Sequence, residues 1–288
     1  MAAEAGWWAD DPTGRHRLRY WDGAAWTSWV SDGAAAFVDP MQWAPSGPTS
    51  VPRPSPNGRA AFPSGGIGVA LAGITASVVA SRLVVDNTPS FSSAATARVL
   101  LFYVLLYGGL ILTCVAASGR FGTGHIRADF GVSWRPNDLG WGVLTFIATL
   151  MISNWASAVW LSVPAIDNSA TRYKDTVDTI TGASFVVWVC VGIFVAPIVE
   201  EMVFRGLLLR SLTPAVGSNT AIGLQALAFG AYHFSPGLGL FNIVYFTSTA
   251  MFGVVVGWIA VRRGRLGIGI TAHVLTNAFI FAVILATR

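Results

Sequence analysis

Over 288 residues the chain is 53% hydrophobic and only 11% charged, with a mean hydropathy of +0.59, whereas a soluble globular chain carries about 25% charged residues. That composition excludes a soluble globular protein and points to an integral membrane protein in a lipid bilayer; the twelve tryptophans suit membrane–water interfaces. The net charge of +4 does not indicate nucleic acid, since Lys174 is the only lysine and the arginines are spread between apolar segments, as topology signals facing anionic lipid are.

Residues 1–38 differ from everything after them. The stretch "GWWADDPTGRHRLRYWDGAAWTSWV" holds Trp7, Trp8, Trp21, Trp26 and Trp29 among the turn signals Asp11-Pro12-Thr13-Gly14 and Asp22-Gly23. Short strands between such turns predict a small β-rich module with an aromatic face. In the order Gly-Trp-Trp, Asp-Pro-x-Gly-Arg, Arg-Tyr-Trp-Asp-Gly and Trp-Thr, from Gly6 to Val30, it resembles a Trp-rich domain of unknown function found at the N-terminus of many bacterial membrane proteins. That resemblance implies no chemistry, only an adaptor or stability role with a possible protein partner. Residues 39–65, rich in Pro, Ser and Gly, read as a linker.

From Gly66 onward, apolar segments recur at lengths suited to a hydrocarbon core of about 30 Å. They lie near 66–85, 97–117, 139–161, 183–211, 218–234, 240–261 and 266–286, so residues 66–288 are expected to form an all-α polytopic membrane domain of about seven transmembrane helices. No cleavable signal peptide is expected, because no long apolar run precedes Gly66. Cys114 and Cys190 lie inside apolar runs, which argues against a disulfide framework. Arg120, Arg127, Arg135, Arg210, Arg262, Arg263 and Arg265 fall at alternate span ends. The opposite loops hold Arg172 and Lys174 diluted by Asp167, Asp175 and Asp178, while Arg82 and Arg98 at span ends can snorkel. The positive-inside rule then places a multi-pass protein in the cell membrane with a cytoplasmic N-terminus.

Apart from Glu4, the only glutamates are Glu200 and Glu201, inside the apolar run "VCVGIFVAPIVEEMVFRGLLLRSL". Ionisable side chains in a membrane helix are costly and by default mark function. Glu201 and Arg205 are i, i+4 neighbours that can pair, and Glu200 is turned about 100° away. Pro197 has no N–H, so an α-helical register leaves the Ile193 carbonyl without a partner and permits a bend. Phe229-x-x-x-His233 and His273-x-x-x-Asn277 follow on later segments, the second pair sharing one helix face.

In that order, Glu-Glu-x-x-x-Arg, Phe-x-x-x-His and His-x-x-x-Asn on consecutive apolar segments resemble the CPBP family, the type II CAAX prenyl endopeptidase or Abi-like intramembrane proteases. The resemblance covers residues 66–288, with motifs within about 180–285. The Trp-rich extension, and seven spans where the eukaryotic prenyl-protein enzymes suggest eight, depart from it. It implies hydrolysis of a peptide or membrane-protein substrate, with Glu200 as general base, His233 holding the water, and His273 and Asn277 donating to the oxyanion. Glu201 with Arg205 would fix the helix and tune the charge, and Phe204 and Phe229 would line the substrate groove. The segment 218–233 rises only about 21 Å, and Glu200 and His273 lie about 12–15 Å from the arginine-bearing edge, so a shared cavity opening to the cytoplasm is expected. No cofactor is required by this reading. The alternative is a zinc site built from Glu, His and His; a proton-coupled transporter and a non-catalytic immunity or scaffold protein are the readings without hydrolysis.

Overall fold

The computed structural model describes residues 6–8, 18–31, 36–38, 62, 65–87, 95–178 and 180–287. The expected linker, apart from Phe62 and Gly65, lies outside the described residues, as do the turn at Asp11–Gly14 and His16. Contacts divide the chain into two units, Met1–Ala61 and Phe62–Arg288.

In the first unit β1 (Gly6–Trp8), β2 (Leu18–Trp21), β3 (Trp26–Ser31) and β4 (Ala36–Val38) form an antiparallel sheet in sequence order. The Asp22-Gly23 turn closes the central hairpin. Asp22 Oδ1 accepts the N–H groups of Ala24 at 2.8 Å and Ala25 at 2.7 Å, and Gly23 takes the φ of +101° that its missing Cβ allows. Trp8, Trp21 and Trp26 form the buried face, the last two rings meeting edge-on at 5.4 Å. Trp29 points outward, 48% exposed.

The second unit is helical: α1 (Gly65–Asn87), α2 (Ala95–Phe121), α3 (Ile126–Phe130), α4 (Asp138–Leu161), α5 (Pro164–Asp178), α6 (Gly182–Val216), α7 (Ser218–Tyr232), α8 (Asn242–Arg263) and α9 (Gly267–Ala286). Among the described residues, six helices are long and apolar enough to cross a membrane: α1, α2, α4, α6, α8 and α9. Their outer faces carry side chains such as Leu112, Met151 and Trp155, at 68%, 68% and 66% exposure, which lipid and not water accommodates. α6 differs from the other five. Its stretch from Val199 to Leu209 is buried on every side, the pattern of a helix enclosed by the others.

Two segments depart from the expected spans. The fifth, α7, is a helix of 15 residues, a rise of about 22 Å at 1.5 Å per residue, so it stops within the membrane. Beyond it Pro236–Phe241 winds as a 3-10 turn, broken at Gly239 with φ +52°. Asn242 holds this loop: its Oδ1 accepts the Ser235 N–H at 2.9 Å, and its Nδ2 donates to the carbonyls of Ser235 at 2.7 Å and Gly239 at 3.0 Å. Backbone groups at membrane depth are thereby satisfied inside the protein. The second departure is α5, a polar helix where a loop was expected; it packs on the 3-10 turn.

At the other end the loops are tied together. Arg210 donates to the carbonyls of Asp129 at 2.7 Å and Gly264 at 3.1 Å, and Arg265 forks onto Asp138 at 2.8 and 2.5 Å. Asp129 is fully buried and accepts the hydroxyls of Ser118 at 2.5 Å and Thr123 at 2.7 Å. Burial pushes its carboxyl up, but hydrogen bonds from Ser118, Thr123 and Gly124 outweigh that and hold it below the usual value.

Because the folded carboxyl titrates below its unfolded value, its stabilisation is complete above that value and is lost as pH falls through the folded one. The thermal unfolding midpoint of the detergent-solubilised protein is expected to drop on acidification below about pH 4, and Asp129→Asn to remove part of that dependence. An unchanged acid profile in Asp129→Asn would assign the effect to other carboxylates.

Candidate functional site

α6 carries the two glutamates between two wide turns. Val191–Val195 and Met202–Leu208 are π-helical, with the N–H of Ala196 on the Val191 carbonyl and that of Leu209 on the Phe204 carbonyl, both i to i−5. Such turns often accompany functional sites. Pro197 explains the first. In the i to i−5 register the N–H it lacks is the one owed to Gly192, so the orphaned carbonyl is that of Gly192 and not of Ile193 as an α-helical register predicts. Asn277 Nδ2 fills the gap, donating to the Gly192 carbonyl at 2.7 Å.

Glu201 turns away from open space. Glu201 and Arg205 are both fully buried, with Arg205 Nη1 3.0 Å from Glu201 Oε1. The contact is an ion pair without the angular alignment of a hydrogen bond. The guanidinium also lies over the Phe229 ring, 4.1 Å from its centroid, a desolvated cation–π contact. The pair fits because residue 269 is glycine: a Cβ there would stand 2.8 Å from Glu201 Oε2 and 2.6 Å from Val256 Cγ1. One turn further along α9, His273 Nδ1 reaches Glu201 Oε1 at 3.3 Å.

Glu200 faces the other way, onto a cavity. Tyr107 of α2 donates its hydroxyl to Glu200 Oε1 at 3.0 Å. Oε2 faces His233 Nε2 at 3.8 Å and His273 Nε2 at 3.7 Å. Both distances exceed a direct hydrogen bond. His233 Nδ1 lies 2.8 Å from the Phe229 carbonyl, which can only accept, so Nδ1 bears the proton and neutral Nε2 offers a lone pair. The same logic at Glu201 Oε1 gives His273 the same tautomer. Phe229 braces both rings, edge-on at 4.6 Å to His233 and 5.9 Å to His273.

The cavity measures about 690 Å³ and is lined by Glu200, His233, His273, Asn277, Phe229, Tyr107 and Tyr232, with the hydroxyls of Ser153, Ser157 and Ser248 on one wall. It extends to Lys174 and Asp178 of α5, Arg82 near the end of α1 and Thr287 beyond α9. This is the end opposite the arginine-rich loops, so the expected opening on the arginine side is not what the structure has: α3 and the Arg210, Arg265 and Asp129 contacts close that side.

Of the side chains singled out from sequence, Glu200, His233, His273, Asn277 and Phe229 meet on this wall. Glu201 and Arg205 stand behind it as support. Phe204 is fully buried against Phe229 at 5.0 Å and Tyr232 at 5.3 Å and is not on the wall, so it backs the groove and does not line it. Tyr107 and Gly269 were not anticipated. A tyrosine in an apolar helix and a glycine in a membrane helix are both ordinary residues, and only tertiary contact reveals their partners. No group of three or more His, Cys, Asp or Glu among the described residues is arranged to hold a metal ion.

Residues 182–279 match the model of a family described as Rce1-like, type II CAAX prenyl endopeptidase. No curated protein and no solved structure matches the chain. The matched segment runs from the start of α6 into α9 and includes every motif side chain named above; Tyr107 lies outside it.

Two variants probe the buried pair. Arg205→Ala strands the Glu201 carboxylate and is expected to cost about 3–5 kcal/mol of stability. Gly269→Ala overpacks Glu201 and Val256, at about 1–3 kcal/mol. Thermal unfolding in detergent reads both, and a wild-type midpoint in either variant would remove the role assigned here.

Proposed function

We propose that this chain is an intramembrane protease of the kind its match over residues 182–279 describes, in which Glu200 activates a water for peptide hydrolysis with His233 and His273 around it. The observation that carries this reading is the convergence on Glu200 Oε2 of two imidazole nitrogens, at 3.7 and 3.8 Å, while Oε1 is held by Tyr107. Three acceptor atoms facing one another at that spacing need protons between them, and one water supplies two.

In the proposed sequence the water oxygen attacks the scissile carbonyl and its proton passes to Glu200. The carbonyl oxygen becomes an oxyanion, which requires donors. Asn277 spends one amide proton on Gly192 and keeps the second for the oxyanion, while His273, with its Nε2 lone pair towards Glu200, accepts from the water. Collapse of the tetrahedral species breaks the C–N bond, and Glu200 returns its proton to the leaving amine. Glu201 and Arg205 keep α6 in register behind the reacting groups. Phe229 positions both imidazoles and forms part of the apolar wall along which a substrate side chain would lie. The prenyl group in the family's name is not required by anything on this wall.

Glu200→Gln, in protein reconstituted into liposomes, is expected to abolish cleavage while the unfolding midpoint stays near that of wild type; retained turnover would defeat the proposal. Chelator treatment is expected to leave the rate unchanged, and loss of activity restored by added zinc would replace the glutamate–water scheme with a metal site on the same residues. Tyr107→Phe, which frees Glu200 Oε1 without changing volume, is expected to lower kcat about tenfold or more with KM little altered.

A further inference from the structure

The cavity runs from the level of Glu200 and His273 towards the end remote from the arginine-rich loops. Arg82 of α1, Tyr103 of α2, Ser157 of α4 and Ser248 of α8 line it on that side, with Thr287 beyond α9 and Lys174 of α5 at the rim. The Lys174 and Asp178 side chains are 48% and 35% exposed there and pair with each other at 2.5 Å. The opposite end carries Arg120, Arg127, Arg135, Arg262 and Arg263 in its loops and helix ends. It is also the sealed end, with Arg210 and Arg265 bonded across α3, α4 and the α8–α9 turn. Arginine-rich short loops stay on the cytoplasmic side of a membrane.

From these two asymmetries together we infer that the cavity holding Glu200 opens to the extracytoplasmic face, and that the substrates are peptide segments presented on that face. The word "substrates" rests on the protease reading above; the direction of the opening does not. A route from the cytoplasm would have to pass the Asp129–Arg210 and Asp138–Arg265 contacts. Among the described residues, a route from outside passes α5 and the 3-10 turn it packs on. The rim is polar and of mixed charge, through Arg82, Lys174 and Asp178. The interior pairs aromatic rings with serine hydroxyls. A segment with water-soluble flanks and a short apolar stretch suits both.

The test uses the full chain in bacterial membranes, with Cys190→Ser to remove the exposed thiol and the buried Cys114 left in place. Lys174→Cys at the rim, Ser248→Cys on the wall and His125→Cys at the arginine-rich end are treated with a small membrane-impermeant thiosulfonate, in intact spheroplasts and in inverted vesicles. Modification of Lys174→Cys and Ser248→Cys in spheroplasts, with His125→Cys modified only in inverted vesicles, is the expected pattern. Modification of Lys174→Cys or Ser248→Cys only in inverted vesicles would overturn the inference. Comparison of protein termini between wild-type and Glu200→Gln cells then separates the two readings. New termini in extracytoplasmic segments support both, and termini confined to cytoplasmic segments overturn the extracytoplasmic assignment. No differing terminus at all counts against the protease reading, and the labelling still decides the opening.

Discussion

A charge pair with no access to water governs how this membrane unit is built. Glu201 and Arg205 are fully buried, and removing two ions from water costs several kcal/mol each unless their neighbours compensate. Compensation requires enclosure from all sides. The middle of α6 is accordingly ringed by other helices, Phe229 supplies a ring face to the guanidinium, and α9 gives up a side chain at Gly269 so that the carboxylate can be approached closely. His273 then completes the ring around Glu201. The pair adds little net stability by this accounting. Its effect is to specify one arrangement of α6 against α7 and α9, which also fixes where Glu200 points.

Adjacent glutamates on a helix cannot share one environment, because successive side chains diverge by about 100°. Here that geometry separates two tasks. One carboxylate is locked to an arginine, and the other is presented to a cavity with one oxygen tethered and the other facing two imidazoles. The tether comes from Tyr107 on α2, so the disposition of Glu200 depends on a helix far away in sequence. The imidazoles come from α9 and from the residue that ends α7. Three other elements therefore converge on the single carboxylate that α6 presents.

Much of this was legible in the sequence because charge is so expensive in an apolar helix. Glu200, Glu201, Arg205, His233, His273 and Asn277 stand out against their surroundings, and the 3.6-residue period pairs Glu201 with Arg205 and His273 with Asn277 directly. The helical segments were legible for the same reason, from the length of each apolar run. What was not legible depends on tertiary approach. Tyr107 and Gly269 carry no local signal. The widened turns on either side of the glutamates are a register effect, and one residue of register moves the orphaned carbonyl from Ile193 to Gly192. The direction of the cavity was misread because distance along a helix gives depth below one edge and says nothing about which edge is roofed. That is decided by α3 and the Asp129–Arg210 contacts at one end and by α5 at the other.

The hydrogen bond from Asn277 to the carbonyl that Pro197 leaves idle has a mechanical corollary. α9 carries Gly269, His273 and Asn277 on one face at four-residue intervals, so a single rod touches the ion pair, the cavity-facing carboxylate and the first widened turn of α6 at three points. Turning that rod about its axis would unseat all three at once. Swinging the end of α7 would move His233 and Phe229 but leave Gly269, His273 and Asn277 in place on α9. Slow structural exchange, if it gates turnover, should therefore be sought in the short helix and its loop, with α9 behaving as the fixed jaw of a vice.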